Sequence, residues 1–313
     1  MSVTDANDLS GLGSRPEELP DAVEVAIAGH SRPLGGIEVT RVLPSLQRRN
    51  VGPFVFLDHM GPVNLPKGRG FDVPPHPHIG LSTVTYLLEG EIVHRDHLGS
   101  VQPITPGAIN LMVAGRGIVH SERSSPETRA RGASMHGLQL WLALPLHAED
   151  GPPAFHHHPE KSLPSWRENG VDVRLLLGVA GERRSPATDP SEPLLMDLSL
   201  PAGASFTVPA GVADCAVYVA DGSVSVGASA FGRHRLVVRA KGATLSITAS
   251  VATRAFVLGG APLDAKRYID WNFVSSSPES IERAKESWRA NRFPKIPGDD
   301  QEFVPLPEKK SGP

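Results

Sequence analysis

The 31 glycines and 30 prolines of this chain are scattered without a repeat period, and they break its apolar stretches into short pieces. Proline removes a backbone donor and glycine costs backbone entropy, so this punctuation leaves little room for long helices and favours many strands and turns. The pieces read as strands. Val23-Glu24-Val25-Ala26-Ile27 and the first part of Ile37 to Val42 alternate apolar and polar residues, the mark of a half-buried strand. Val51 to Met60, Ser82 to Leu88, Glu91 to His97, Ile109 to Val113, Ile118 to Glu122 and Leu138 to Leu144 follow, separated by Glu89-Gly90, Pro103, Pro106-Gly107 and Gly115-Arg116-Gly117. Strands this short and closely spaced predict an antiparallel barrel or sandwich.

A second strand-rich block of similar length begins near Val171 and ends near Leu258, so two barrels in tandem are expected. The predicted organisation is a polar arm over residues 1–22, a first barrel over 23–150, a linker over 151–168, a second barrel over 169–262, and a helix with a proline-rich tail over 263–313. The linker rests on Pro152, Pro153, Pro159 and Pro164. The helix rests on Ser277 as N-cap, Pro278 in the first turn, Glu279 at the positive end, and Ile281, Ala284 and Trp288 on one face. A formal net charge of −3 gives no global signature of nucleic-acid or acidic-membrane binding. Cys215 is the only cysteine, which excludes an internal disulfide, and it reads as a buried small hydrophobe. With no apolar run of signal-peptide or bilayer-spanning length, a soluble cytoplasmic protein is expected.

Two motifs carry chemistry. His76-Pro77-His78 and His120-Ser121-Glu122 each separate two metal-capable side chains by one residue, a spacing that puts both on one face of a strand. Neighbouring strands of this kind can aim three imidazoles and a carboxylate at one point. Such a set suits a divalent first-row metal such as iron, with positions left open for a ligand. His59, His94, His97 and His136 are candidates for supporting positions, although each alone reads as an ordinary polar residue. His156-His157-His158 is a rival centre, set aside as surface because no rigid element is predicted to hold it. The second block holds only His234, so a three-imidazole site belongs to the first half.

Several segments resemble the pirin family of bicupins. They are Val51-Gly52-Pro53-Phe54 with Leu57-Asp58-His59, His76-Pro77-His78-Ile79-Gly80, Thr83 to Gly90, Ala114-Gly115-Arg116-Gly117-Ile118-Val119-His120-Ser121-Glu122, Gln139-Leu140-Trp141 and Phe256 to Leu263. The resemblance implies an all-β chain of two jelly-roll-like cupin barrels. It implies one divalent metal in the first barrel, Fe(II) above other first-row metals, on His76, His78, His120 and Glu122. Some relatives open flavonols such as quercetin with dioxygen, and others are transcription cofactors. The implied function is therefore a quercetin 2,3-dioxygenase-type oxidoreductase acting on a small phenolic or enolic substrate and dioxygen, with Glu122 as a ligand or as acceptor of the substrate's proton. Phe54, Phe56 and Met112 are candidate pocket walls, although core packing is the plainer reading of each. The alternative is a non-catalytic, iron-dependent protein that binds a protein partner; a sugar- or acid-directed isomerase rests on fold analogy alone. Ser82 stands where many members carry Glu, a change expected to remove a carboxylate near the pocket mouth. Asn110-Leu111-Met112-Val113 also departs from the family's usual Gln-Trp-Met-Thr, removing a tryptophan from that region.

Overall fold

A computed structural model describes residues 19–308. Most of the arm expected over 1–22 lies outside the described residues. The rest of the chain folds into two β-barrels in tandem, each made of one seven-stranded and one four-stranded sheet. In the first barrel the large sheet runs in the order Ala154–His158, Ile109–Val113, Leu81–Glu89, Ala133–Ala143, Phe54–Leu65, Ile37–Leu43 and His30–Leu34. Its small sheet runs Asp72–His78, Ile118–Arg123, Ile92–Asp96 and Val101–Ile104. The second barrel repeats the layout, with Asp214–Asp221, Thr253–Gly260 and Leu194–Leu200 at the centre of its large sheet.

The large sheets pack against each other, and the period of two along each strand decides what faces where. On Leu81–Glu89, Leu81 and Leu87 point into the first barrel, whereas Val84 and Tyr86 join a core shared with Leu195, Tyr218, Leu236 and Phe256 of the second. On Asp214–Asp221, Tyr218 faces this shared core while Val217 and Val219 face the interior of their own barrel. Polar bonds cross the same seam. Tyr86 Oη donates to Asp197 at 2.7 Å, and Arg48 forks onto both oxygens of Asp214 at 2.8 Å. Cys215 is buried in the second barrel, as expected.

Two stretches depart from the sequence reading. Val23–Ala28, assigned to the first barrel, pairs antiparallel with Arg235–Arg239 and completes the second barrel's large sheet. Alternation identifies a half-buried strand but not its partner, and Val23 and Ile27 find apolar cover in two different clusters. The stretch read as a linker is also ordered into sheet: Ala154–His158 is an edge strand paired with Ile109–Val113, and Ser165–Glu168 pairs with Val171–Leu177. Its prolines lie beside these strands or at their ends, where a missing N–H costs no ladder bond.

The C-terminal segment turns back onto the first barrel. Phe273 forms a parallel bridge with Ile79. Helix Pro278–Arg289 forms where expected, its Ser277 hydroxyl accepting from the Ser280 N–H at 3.3 Å. Ile281 and Ala284 are buried against Ile79, Trp271 and Phe273. The tail then runs extended, with Trp288 Nε1 donating to the Val304 carbonyl at 3.0 Å and the Val304 N–H donating to Pro75 O at 2.9 Å. Among the described residues no helix is long and apolar enough to cross a membrane.

Candidate metal centre

Strands Asp72–His78 and Ile118–Arg123 lie side by side in the small sheet, with His76 directly opposite His120 and His78 opposite Ile118. The x-Pro-x spacing turns both imidazoles of the first strand inward. Nitrogens of His76, His78 and His120 lie within 4.8 Å of one another, and all three residues are buried. His78 Nε2 and His120 Nε2 are 3.1 Å apart. Two nitrogens bound at about 2.1 Å and at right angles to one ion sit about 3.0 Å apart, so this spacing fits a shared metal. Two of the three outer nitrogens agree. His76 Nδ1 lies 2.8 Å from the Pro74 carbonyl and His78 Nδ1 lies 3.0 Å from that of Asn272, contacts that fix Nδ1–H and leave Nε2 free to donate its lone pair. Burial lowers His78 to about 3 and holds His76 and His120 well below the ordinary range. All three are therefore neutral at pH 7, the form that binds metal.

Glu122 is buried on the same strand but stands apart from the three-imidazole group. The pairing register shifts between His120 and Glu122, so Glu122 faces Val73 where unbroken pairing would bring it opposite Pro74. Its carboxylate accepts from Thr85 Oγ1 at 3.3 Å, and that hydroxyl lies 2.8 Å from Gln139 Oε1. Burial pushes the Glu122 carboxyl up to about 7, against the opposing pull of the Thr85 hydrogen bond.

The surrounding wall is aromatic. Trp141 meets His78 edge-on at 5.2 Å and stacks on Phe56 at 4.1 Å. Met112 belongs to the same cluster, whereas Phe54 faces the seam between barrels. His94 reaches the site from the next strand, 5.3 Å from the His120 ring. It stacks on Phe155 at 4.1 Å, and its Nε2 lies 2.9 Å from Asp96. The sequence offered His94 only as one of several nearby histidines; its place opposite Glu122 in the ladder singles it out. Trp141 was quoted in a matching segment without a role, and its contact with His78 supplies one; Asn272, whose carbonyl meets His78 Nδ1, carried no signal in the sequence. His59 and His136 lie elsewhere, in a chain at the seam: Tyr218 Oη is 2.7 Å from His59 Nδ1, and His59 Nε2 is 2.8 Å from His136 Nε2. His97 Nδ1 accepts from the Val119 N–H at 3.1 Å, on the outer side of the ligand strand. The triple His156-His157-His158 is not loose surface but an edge strand, with His157 bonded to Asn110 at 2.6 Å.

Ser82 requires a correction. It is fully buried and alternates with Leu81 and Thr83, so it points away from the metal and toward the second barrel, beside the Asp189 carboxylate. It does not sit at the pocket mouth, because one step along a strand reverses the face.

Comparison with known proteins agrees with this architecture. The family model described as Pirin matches residues 36–142, and the one described as Pirin C-terminal cupin domain matches residues 195–294. A Pirin-like protein of Caulobacter vibrioides is 42% identical over 290 residues, spanning 91% of this chain and all of the relative. A Pseudomonas aeruginosa protein provisionally named as a quercetin 2,3-dioxygenase is 38% identical, with 96% of each chain covered. The crystal structure of quercetin 2,3-dioxygenase from Acinetobacter baumannii is 33% identical and superposes with a TM-score of 0.85, over 92% of this chain and 96% of that one.

Proposed function

The chain belongs to the pirin family of two-cupin proteins, and from that premise we propose that it is a metal-dependent dioxygenase acting on a flavonol-like, phenolic or enolic substrate. The observation that carries the reading is the convergence of three neutral imidazoles, His76, His78 and His120, inside an aromatic-walled barrel. These side chains would hold one divalent first-row ion; imidazole donors accept Fe(II) among several such metals, and the family resemblance puts Fe(II) first. When bound, such an ion supplies Lewis acidity to an enolic oxygen and a meeting point for substrate and dioxygen.

The chain's own groups do the rest. Trp141, Phe56 and Met112 give an apolar wall against which a planar ring packs. Glu122, bonded to Thr85 on the same inward face as His120, serves as a fourth ligand or accepts the substrate's hydroxyl proton at its carboxylate. His94, braced by Asp96 and Phe155, flanks the His120 ring. The alternative of a non-catalytic, iron-dependent partner-binding protein draws on the missing carboxylate at position 82 and on the lack of an obvious second catalytic acid. Since Ser82 faces the seam, that change has no direct bearing on the pocket. The test is aerobic turnover of quercetin by iron-loaded protein, followed by loss of its visible absorbance. Loss above that of free iron, abolished in His120→Ala, is expected; none above free iron would rule this substrate out.

A further inference from the structure

The inner faces of the two ligand strands carry His76, His78, His120 and Glu122, and their outer faces are gripped by a segment distant in sequence. Ser121 lies between His120 and Glu122, and its hydroxyl donates to Asp299 Oδ2 at 2.6 Å. Arg123, the next outward residue, forks onto the same carboxylate, Nε to Oδ2 and Nη2 to Oδ1, both at 2.8 Å. Arg123 also reaches Glu302 at 3.0 Å. On the neighbouring strand, Pro75 O, adjacent to His76, accepts from the Val304 N–H. His78 meets the carbonyl of Asn272 in the same C-terminal segment. Residues 272–304 therefore touch each ligand strand at a residue next to, or bonded to, a metal-binding imidazole. Asp299 alone ties two alternate positions of one strand, across the place where its pairing register shifts.

We propose that Asp299 is a positioning residue for the metal centre, and that docking of the C-terminal tail and retention of the ion are coupled. The inference rests on the metal-site reading above. A carboxylate that fixes Ser121 and Arg123 sets the pitch of the strand between them and so the direction of the His120 ring. Residues that orient metal ligands from behind typically contribute about 10–100-fold in metal affinity. Coupling is reciprocal, so the bound ion must hold the tail by the same factor.

The experiment uses the full chain loaded with cobalt(II), whose visible absorption reports ligand geometry, and a competing chelator to measure affinity. Asp299→Ala is expected to weaken cobalt binding about 10–100-fold and to shift the visible band. Asp299→Glu is expected to recover part of the loss, and Asp300→Ala to leave both readouts at wild type. Ser121→Ala removes a single hydroxyl from the same clamp and should give a smaller change in the same direction, which decides the matter if Asp299→Ala does not fold. Tryptic cleavage at Lys295 should be slower in the cobalt-loaded wild type than in the metal-free chain. Wild-type affinity with an unshifted band in folded Asp299→Ala or in Ser121→Ala, or tail cleavage indifferent to cobalt, overturns the proposal. Failure of the metal-site reading looks different: the wild type takes up no cobalt, or His120→Ala still holds it.

Discussion

Restoring the family's carboxylate at position 82 separates two accounts of this chain. If Ser82 lined the pocket, Ser82→Glu would alter turnover and leave the fold alone. Its side chain instead points into the seam beside Asp189, a buried carboxyl whose Oδ1 accepts from the N–H and hydroxyl of Ser191. Burial already raises the Asp189 carboxyl, over the opposing hydrogen bonds of Ser191. A second carboxylate about 4 Å away would repel it by roughly 4 kcal/mol at an effective dielectric constant near 20. The chain can avoid this by keeping one proton, but holding an acid of ordinary pKa about 4.3 neutral at pH 7 costs about 3.7 kcal/mol. The two routes agree, and overpacking adds to either.

Because the folded state raises the pKa, this penalty is absent below the unfolded value. It grows by about 1.4 kcal/mol per pH unit above it, until the pair ionises. Urea denaturation of Ser82→Glu should therefore show a loss at pH 7 of about 4 kcal/mol beyond the overpacking cost, shrinking toward that cost alone near pH 4. Stability within about 1 kcal/mol of wild type at pH 7, or a loss of equal size at both pH values, would refute the reasoning.

Further outcomes follow from the same geometry. His76→Ala and His120→Ala should abolish stoichiometric metal in elemental analysis while the far-ultraviolet circular dichroism stays that of the wild type, and His157→Ala, on the edge strand, should retain the metal. Tyr218→Phe should cost about 1–3 kcal/mol in urea denaturation, because it strands the buried Nδ1 of His59, and should leave metal content unchanged. Gly80→Ala should lower both the thermal midpoint and cobalt uptake. Gly80 sits at φ +66°, and an added Cβ would lie 2.0 Å from the Val274 carbonyl oxygen, prising the C-terminal segment from the strand that ends in His78.

Much of this was legible in the chain because a strand repeats every second residue. That period carried the two histidine motifs to facing positions, and the capping serine, proline and glutamate located the C-terminal helix to within the sequence reading. The same period failed wherever a strand is buried on both sides. Leu81–Glu89 is covered by the metal pocket on one face and the second barrel on the other, so its pattern of burial could not say on which side Ser82 lies. Glu122 was read as a fourth donor from its spacing alone; the hydrogen bond it accepts from Thr85 was out of reach, because Thr85 belongs to a strand distant in sequence. The partners of Val23–Ala28 and of Asp299 were beyond reach for another reason. Each pairs with residues far away in the chain, and apolar alternation or a lone carboxylate does not encode its counterpart.

The two ends of the described chain cross over. The leading strand belongs to the trailing barrel, and the trailing segment fastens onto the leading one. During synthesis Val23–Ala28 leaves the ribosome roughly two hundred residues before Arg235–Arg239 exists to receive it, and the nascent metal cup stays open-backed until residues 272–304 have followed. A chain stalled before Arg235–Arg239 leaves the second barrel open, and one clipped before residue 272 leaves the first without its brace.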